Sequence, residues 1–179
     1  MRKIKNEELG RKSIEEYKNA VKVPVCIVLD NVRSLNNVGS AFRTADAFTF
    51  EKIICCGITG TPPHRDIQKT ALGATESVEW AYEKEVVACV QQLKDQGYYI
   101  IAIEQATHRT FLQDLKIDPS LKYAVIFGNE VSGVDDKVIN IADEVVEIPQ
   151  YGTKHSLNIS VSIGVVLWDF VSKQKKLPD

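Results

Sequence analysis

The chain has 179 residues, of which 44% are hydrophobic and 26% are charged, and its formal net charge is −2. This length accommodates one domain with a full hydrophobic core, and the composition is that of a globular protein. No apolar run is long enough to span a bilayer, and the N-terminal segment lacks the apolar core of a signal peptide, so we expect a cytoplasmic protein. The charge balance does not indicate a nucleic-acid-binding surface overall, so any polyanion site must be a local patch.

The sequence context of the four cysteines agrees with the expected cytoplasmic location. The four cysteines lie in apolar segments, without a Cys-x-x-Cys pair or a histidine cluster beside them. We therefore predict buried free thiols in a reducing compartment and no bound metal. These cysteines are Cys26, Cys55, Cys56 and Cys89.

Helical and strand patterns alternate along the chain. Residues 6–21 are predicted as a polar helix, 25–30 as a buried strand, and 35–48 as a helix with Asn36 and Asn37 as cap residues. Further strands are predicted at 51–58, 77–82, 98–104, 123–128 and 144–149, and further helices at 67–74, 85–96, 134–142 and 157–173. This alternation indicates an α/β fold, with a mostly parallel sheet and helices on both faces.

Arg43 stands out within the helix predicted at 35–48. Val38 and Phe42 belong to its buried stripe, whereas Arg43 lies off that stripe on a face that includes Gly39 and Ser40. Small residues let another group approach the helix closely, and a guanidinium group binds anions well. The alternative is an ordinary surface arginine on an amphipathic helix.

Two turns at the carboxyl ends of predicted strands carry unusual sequences, and ligands of parallel α/β sheets bind at such ends. Residues 127–134 read FGNEVSGV, in which Gly128 lacks a Cβ and permits a ligand to approach the backbone. Residues 148–160 read IPQYGTKHSLNIS, a loop dense in hydrogen-bonding groups in which Ser156 is a candidate helix cap. The glycine-rich fingerprints of dinucleotide-binding and P-loop proteins are absent, as is the G-x-S-x-G elbow, which excludes those classes.

Three stretches, in this order, resemble the SpoU (TrmH-like) branch of the SPOUT methyltransferases. They are residues 37–45 (NVGSAFRTA), 126–133 (IFGNEVSG) and 148–161 (IPQYGTKHSLNISV). Members of this family transfer a methyl group from S-adenosylmethionine to ribose 2′-hydroxyls of RNA. The resemblance implies the SPOUT fold, in which the C-terminal segment forms a deep trefoil knot. It also implies a single SPOUT methyltransferase domain over residues 1–179, with 1–23 as a short basic helical extension.

The resemblance assigns roles to individual residues. It implies that Arg43 acts at the ribose, against an RNA phosphate. There it serves either as general base or, because arginine is rarely deprotonated in proteins, as the group that orients the hydroxyl and stabilises its developing alkoxide. The expected catalytic residues are Arg43, Asn37, Glu130, Ser156 and Asn158, the last three orienting Arg43 and the catalytic loop. The expected cofactor-binding residues are Gly128, Ile148, Leu157, Glu104 and Gln150.

RNA and a second subunit are the expected partners. The last predicted helix is apolar on nearly every side, so one face is expected to pack on the chain's own sheet and the other in a homodimer, as in the family. We favour tRNA over rRNA because compact members of the family commonly act on tRNA. The alternatives are a non-catalytic RNA-binding protein with the same fold and an enzyme that methylates a small molecule. The residues expected to bind RNA are Arg11, Lys12, Arg65, Lys69 and Lys154, beside the C-terminal lysines 173, 175 and 176.

Overall fold

A computed structural model of the chain describes residues 1–174, apart from the side chain of Asn6, so Lys175 and Lys176 lie outside the described residues. Strands and helices alternate along these residues. The strands are β1 (Val23–Asp30), β2 (Phe50–Cys56), β3 (Glu79–Glu83), β4 (Tyr98–Ile103), β5 (Thr110–Phe111), β6 (Lys122–Phe127) and β7 (Glu144–Glu147). The helices are α1 (Ile14–Asn19), α2 (Leu35–Ala47), α3 (Arg65–Ala71), α4 (Ala74–Ser77), α5 (Val86–Asp95), α6 (Asp136–Ile141) and α7 (Ile159–Lys173), with short 3-10 helices at Asn6–Glu8 and Leu112–Asp114.

The strands form one sheet in the order β3-β2-β1-β6-β4-β7-β5, and all of their pairings are parallel. The prediction of an α/β fold with a mostly parallel sheet is therefore confirmed. Strands β1 and β6 are neighbours, with Leu29 opposite Phe127, so the segments that follow these two strands begin side by side. The trefoil knot stays a prediction from the family resemblance.

Hydrophobic cores cover both faces of the sheet, because successive side chains of a strand point to opposite sides. Ile27 and Leu29 of β1 belong to the core that α2 and α7 cover. Cys26 and Val28 belong to the core that α5 and α6 cover. All four cysteines are buried and free, as predicted. No helix among the described residues is both long and apolar enough to cross a membrane.

Several element boundaries differ from the predictions for local reasons. Residues 6–21 do not form one helix, because the chain takes a positive φ at Gly10 and α1 begins only after a capping box between Ser13 and Glu16. Helix α3 begins earlier than predicted because the side chain of His64 accepts a hydrogen bond from Asp66 at its first turn. It ends at Leu72 with a positive φ, which separates it from α4.

Candidate functional site

A cavity of about 560 Å³ lies at the carboxyl ends of β4, β6 and β7. Its walls come from the turn after β6 and from the long loop between β7 and α7, and none of the described residues that line it belongs to α2. The lining includes all five residues predicted to bind a cofactor: Gly128, Ile148, Leu157, Glu104 and Gln150. It also includes three of the predicted catalytic residues: Glu130, Ser156 and Asn158.

Gly128 is required by the chain's own backbone. A Cβ at this position would lie closer than 3.0 Å to the backbone of Gly133 and Val134, where the chain returns after its turn. The expectation that a ligand uses the space left by the missing Cβ is therefore wrong, because the returning chain fills it. Gly133 has a φ of 71°, a conformation that favours glycine, and a Cβ there would collide with the Glu104 carboxylate.

Asn129 organises the turn between these two glycines. Its backbone pairs with that of Gly133 through two hydrogen bonds of 2.9 Å. Its side-chain Oδ1 accepts hydrogen bonds from the backbone N–H groups of Val131 at 2.8 Å and Ser132 at 3.2 Å. Its Nδ2 donates to the carbonyl oxygen of Asn31, in the loop after β1, at 2.7 Å. Asn129 is buried and lies within the stretch 127–134, but no role was predicted for it from the sequence. Its position after a strand-ending glycine, in a turn that needs internal hydrogen bonds, was the available signal.

Glu130 reaches from the cavity wall to the start of α2. Its Oε2 accepts a hydrogen bond from the Arg33 N–H at 3.1 Å, and its Oε1 accepts from the Ser34 N–H at 3.2 Å. Oε1 also accepts from the Asn37 side-chain amide at 3.1 Å. Burial acts to raise the pKa of Glu130, but these hydrogen bonds outweigh it and the pKa lies below its ordinary value. The carboxylate is therefore ionised at neutral pH and ties the cavity wall to α2.

Helix α2 carries Arg43 and begins after Ser34, whose Oγ accepts a hydrogen bond from the Asn37 N–H at 3.3 Å. The prediction of Asn36 and Asn37 as cap residues is wrong, since both lie in the first turn and the amide of Asn37 is used by Glu130. Arg43 is exposed, and its guanidinium group forms no hydrogen bond or ion pair with other described residues. Glu130 thus orients the helix that carries Arg43 and does not contact its guanidinium group.

Glu104 and Gln105, which directly follow β4, connect the end of this strand to two other parts of the cavity wall. The Oε2 of Glu104 accepts a hydrogen bond from the Val134 N–H at 3.0 Å, and its Oε1 accepts from the Gln105 N–H at 2.8 Å. The Gln105 side chain donates to the carbonyl oxygen of His155 at 2.7 Å, which fixes the loop before α7. Gln105 and His155 also line the cavity and were not among the predicted site residues.

The cap of α7 differs from the prediction. Asn158, and not Ser156, begins the helix, because its Oδ1 accepts hydrogen bonds from the Ser160 N–H at 2.9 Å and from the Ser160 hydroxyl at 2.6 Å. Ser156 lies in the exposed part of the loop and contributes to the cavity lining. Its hydroxyl is therefore free of the capping role that we had expected for it.

The close approach predicted on the small face of α2 is made by α3. A Cβ at Gly39 would collide with the Thr70 hydroxyl and the Ile67 carbonyl oxygen. The Thr70 hydroxyl donates a hydrogen bond to the carbonyl oxygen of Asn36 at 3.0 Å. Helix α3, with its predicted RNA-binding cations, is therefore locked against the first half of the helix that carries Arg43.

Helix α1 contacts the other end of α2. Tyr17 is buried, and its hydroxyl donates to the carbonyl oxygen of Ala45 at 3.3 Å. Basic segments thus meet α2 both before and after Arg43. All five residues predicted to bind RNA are exposed: Arg11, Lys12, Arg65, Lys69 and Lys154.

A parallel α/β sheet, with a cavity walled by two backbone turns at its carboxyl edge, is the arrangement in which α/β proteins bind small molecules at the ends of their strands. The particular family follows from the sequence. The model of the SpoU rRNA Methylase family matches residues 24–168, and the chain belongs to this family.

Individual relatives agree with this assignment. The 23S rRNA (guanosine-2′-O-)-methyltransferase RlmB from Vibrio vulnificus is 27% identical over 169 residues, which are 94% of this chain and 67% of that protein. The A. aeolicus TrmH/SpoU tRNA modifying enzyme matches with a TM-score of 0.80 and 23% identity, over 90% of this chain and 81% of that one. An AdoMet-bound rRNA methyltransferase from Sinorhizobium meliloti matches with a TM-score of 0.77 and 23% identity, over 89% and 60%. These two structures establish the fold. The chain spans about two thirds of the length of the curated relatives it matches.

Proposed function

We propose that this chain is an S-adenosylmethionine-dependent RNA methyltransferase that methylates a ribose 2′-hydroxyl, acting in the cytoplasm. We further propose that residues 1–179 are one SPOUT methyltransferase domain in which residues 1–23 are a basic extension. One observation carries the proposal: Glu130 lines the cavity and also holds the first turn of the helix that carries Arg43. A cofactor site and an anion-binding arginine are thereby parts of one connected site.

The cavity suits S-adenosylmethionine in size and lining. Its volume lies in the range of small-molecule sites, and its walls combine backbone turns with apolar side chains such as Ile148 and Leu157. The carboxylates of Glu104 and Glu130 are negative groups suited to a cationic cofactor. S-adenosylmethionine supplies an electrophilic methyl group when bound. The AdoMet-bound Sinorhizobium relative supports this choice.

Arg43 is proposed to act on the RNA and not on the cofactor. An arginine side chain stays protonated in proteins, and its planar group binds phosphate through two parallel hydrogen bonds. A phosphate held there orients the adjacent ribose, and the positive charge stabilises an alkoxide that develops on the 2′-hydroxyl. Its exposure leaves the guanidinium group available for this contact.

The RNA is proposed to lie across α2 and the basic segments that flank it. Exposed cations on α3 and before α1 supply phosphate contacts, which position RNA without reading its sequence. We favour tRNA, because the structural match to the tRNA modifying enzyme from A. aeolicus spans 81% of that chain, against 60% for the rRNA methyltransferase from Sinorhizobium meliloti. Methylation of rRNA is the alternative, and the name of the Vibrio relative favours it.

A homodimer is proposed through the outer face of α7. Its inner face buries Ile163, which is 1% exposed, in the core of the chain. Three apolar side chains follow one another at intervals of one helical turn on the outer face. They are Val161, Val165 and Trp168, which are 50%, 40% and 54% exposed. Three large apolar side chains in a row on one helix face indicate a surface that a partner covers.

The role of Arg43 is tested by measuring methyl transfer and thermal unfolding on the same preparation of Arg43→Ala. We expect turnover to fall by about 10² to 10³-fold, the scale for removing one electrostatic donor of this kind. The melting temperature and the affinity for S-adenosylhomocysteine should stay nearly unchanged, because Arg43 is exposed and does not line the cavity. Arg43→Lys should restore little activity, since a point charge does not reproduce the planar group.

The matched control is Arg33→Ala, which removes another exposed arginine side chain just before the same helix. Its effect should be confined to RNA affinity, as expected for the loss of one charge near the RNA. Normal turnover in Arg43→Ala, or an equal loss of turnover in Arg33→Ala, would contradict the role proposed for Arg43.

A further inference from the structure

We infer that Asp30 is a positioning residue for methyl transfer, because its buried carboxylate fixes the loop that leads into the Arg43 helix against the turn that walls the cofactor cavity. The inference rests on the proposed function, since it takes Arg43 and the cavity as the two halves of one reaction site. Asp30 does not line that cavity. It lines a separate cavity of about 380 Å³ that shares Asn129, Ser132 and Gly133 with the first.

The carboxylate of Asp30 is 1% exposed at the end of β1, in the interior of the sheet. Its Oδ2 accepts a hydrogen bond at 2.9 Å from the N–H of Asp135, two residues after Gly133. Its Oδ1 accepts from the side-chain amide of Asn31 at 2.7 Å. A buried carboxylate depends on such donors, because leaving it without them is strongly unfavourable.

Asn31 is fixed in the orientation that Asp30 needs. Its Oδ1 accepts a hydrogen bond from the Ile58 N–H at 3.0 Å, so its Nδ2 must face Asp30. Its carbonyl oxygen accepts the hydrogen bond from Asn129 described above. Asp30 and Asn31 therefore act as one rigid unit between β1, the segment after β2 and the cavity turn.

Two carboxylates thus join this turn and the segment after it to the chain that leads into α2. Glu130 joins the turn to the start of α2, and Asp30 joins the segment after it to the end of β1. The turn itself stays tied to β4 by the hydrogen bond between Glu104 and the Val134 N–H. Removal of the Asp30 contact weakens the attachment of the loop between β1 and α2 to this turn, so that Arg43 can shift relative to the cavity wall. Methyl transfer depends on alignment of the reacting groups, and a displacement of about 1 Å lowers a rate by up to about 10²-fold. Because Glu104 keeps the cavity wall in place, cofactor binding should change little, and the effect should appear in kcat more than in KM.

The test variant is Asp30→Asn, which keeps the size of the side chain. Either orientation of the new amide places an N–H₂ group against a donor, the Asn31 amide or the Asp135 N–H. The control is Thr59→Val. Thr59 is 3% exposed; its hydroxyl donates to the carbonyl oxygen of Leu29 in β1 at 3.0 Å and accepts from the Val32 N–H in the following loop at 2.9 Å, but neither hydrogen bond reaches the turn. Both substitutions are made in the wild-type chain and in Arg43→Ala.

We expect Asp30→Asn to lower kcat about tenfold with a KM for S-adenosylmethionine within about twofold of wild type. In the Arg43→Ala background the same substitution should lower kcat little further, because the guanidinium group that it would misplace has already been removed. Thr59→Val should keep kcat near the wild-type value. An unchanged kcat in Asp30→Asn, a full additional loss in Arg43→Ala, or an equal loss in Thr59→Val would overturn the inference.

A second pair of variants covers the case in which Asp30→Asn does not fold. Asp135 has a φ of −54°, which proline accepts, so Asp135→Pro removes the N–H donor together with the capping side chain. Asp135→Ala removes the capping side chain alone. We expect kcat about tenfold lower in the proline variant than in the alanine variant, and equal values would overturn the inference. A wild-type chain that methylates no RNA would instead refute the proposed function, which keeps the two failures distinct.

Discussion

Gly128→Ala should damage both stability and cofactor binding, because the added methyl group meets backbone and not a flexible side chain. The Cβ would lie closer than 3.0 Å to the carbonyl group of Gly133 and the nitrogen of Val134. The two stretches of backbone must then separate by about 1 Å in a close-packed region. Overpacking of this kind costs about 3 kcal/mol, the upper part of its usual range. For a chain of this length, that loss lowers the melting temperature by about 6–12 °C.

The matched control is Gly152→Ala, because Gly152 is exposed in the loop before α7 and its Cβ would meet no atom within 4 Å. Thermal unfolding and calorimetric titration with S-adenosylhomocysteine are measured on both variants. We expect Gly128→Ala to lose at least about tenfold in affinity, since the displaced turn forms a wall of the cavity. A Gly128→Ala variant with wild-type stability and affinity would refute the account of this turn.

Three further predictions concern the charge of Glu130, the subunit interface and RNA. The depressed pKa of Glu130 implies a contribution to stability that is present above its unfolded value of about 4.3 and is lost as pH falls through the folded value. The difference in unfolding free energy between wild type and Glu130→Gln should therefore shrink in acid; a difference that does not change with pH contradicts this. Val165→Asp should give a folded monomer by light scattering, whereas Ile163→Asp should unfold the chain, because only Ile163 is buried; a dimeric Val165→Asp argues against the interface. Joint replacement of Arg65 and Lys69 by Glu should weaken RNA binding and reduce its salt dependence without changing the affinity for S-adenosylhomocysteine; unchanged RNA affinity would exclude α3 from the interface.

Local patterns predicted the parallel sheet, which the structure confirms, and the edge of the sheet at which we propose the site. The buried strands are continuous apolar runs, and the ends of these runs mark the edge where ligands bind. Gly128 and Leu157 were placed in the cofactor site by the motifs that contain them, and both line the cavity. The strand pattern depends on neighbouring residues and is identified by the sequence alone, whereas the cofactor-binding role of Gly128 and Leu157 is implied by the family resemblance.

Contacts between distant segments were not predictable in the same way. Ser34, Asn36 and Asn37 are all suitable caps by residue type, and the hydrogen bonds that Ser34 and Asn37 donate to Glu130 favour Ser34 as the residue before α2. Asn129 bonds a residue 98 positions away, and Asp30 bonds one 105 positions away. No sequence spacing encodes such pairs. The backbone of Gly133 and Val134 fills the space beside Gly128. The periodicity of hydrophobic residues does not reveal that the chain comes back to this point.

The measurement that tests the central claim most directly is mass spectrometry of nucleosides from RNA incubated with the protein and isotopically labelled S-adenosylmethionine. Total tRNA and rRNA are supplied separately, and Arg43→Ala serves as the control for a contaminating enzyme. We predict label in a 2′-O-methylated nucleoside from tRNA with the wild-type chain, and a loss of at least about 10²-fold with Arg43→Ala. Label on a base, or no labelled nucleoside from either RNA, would contradict the account.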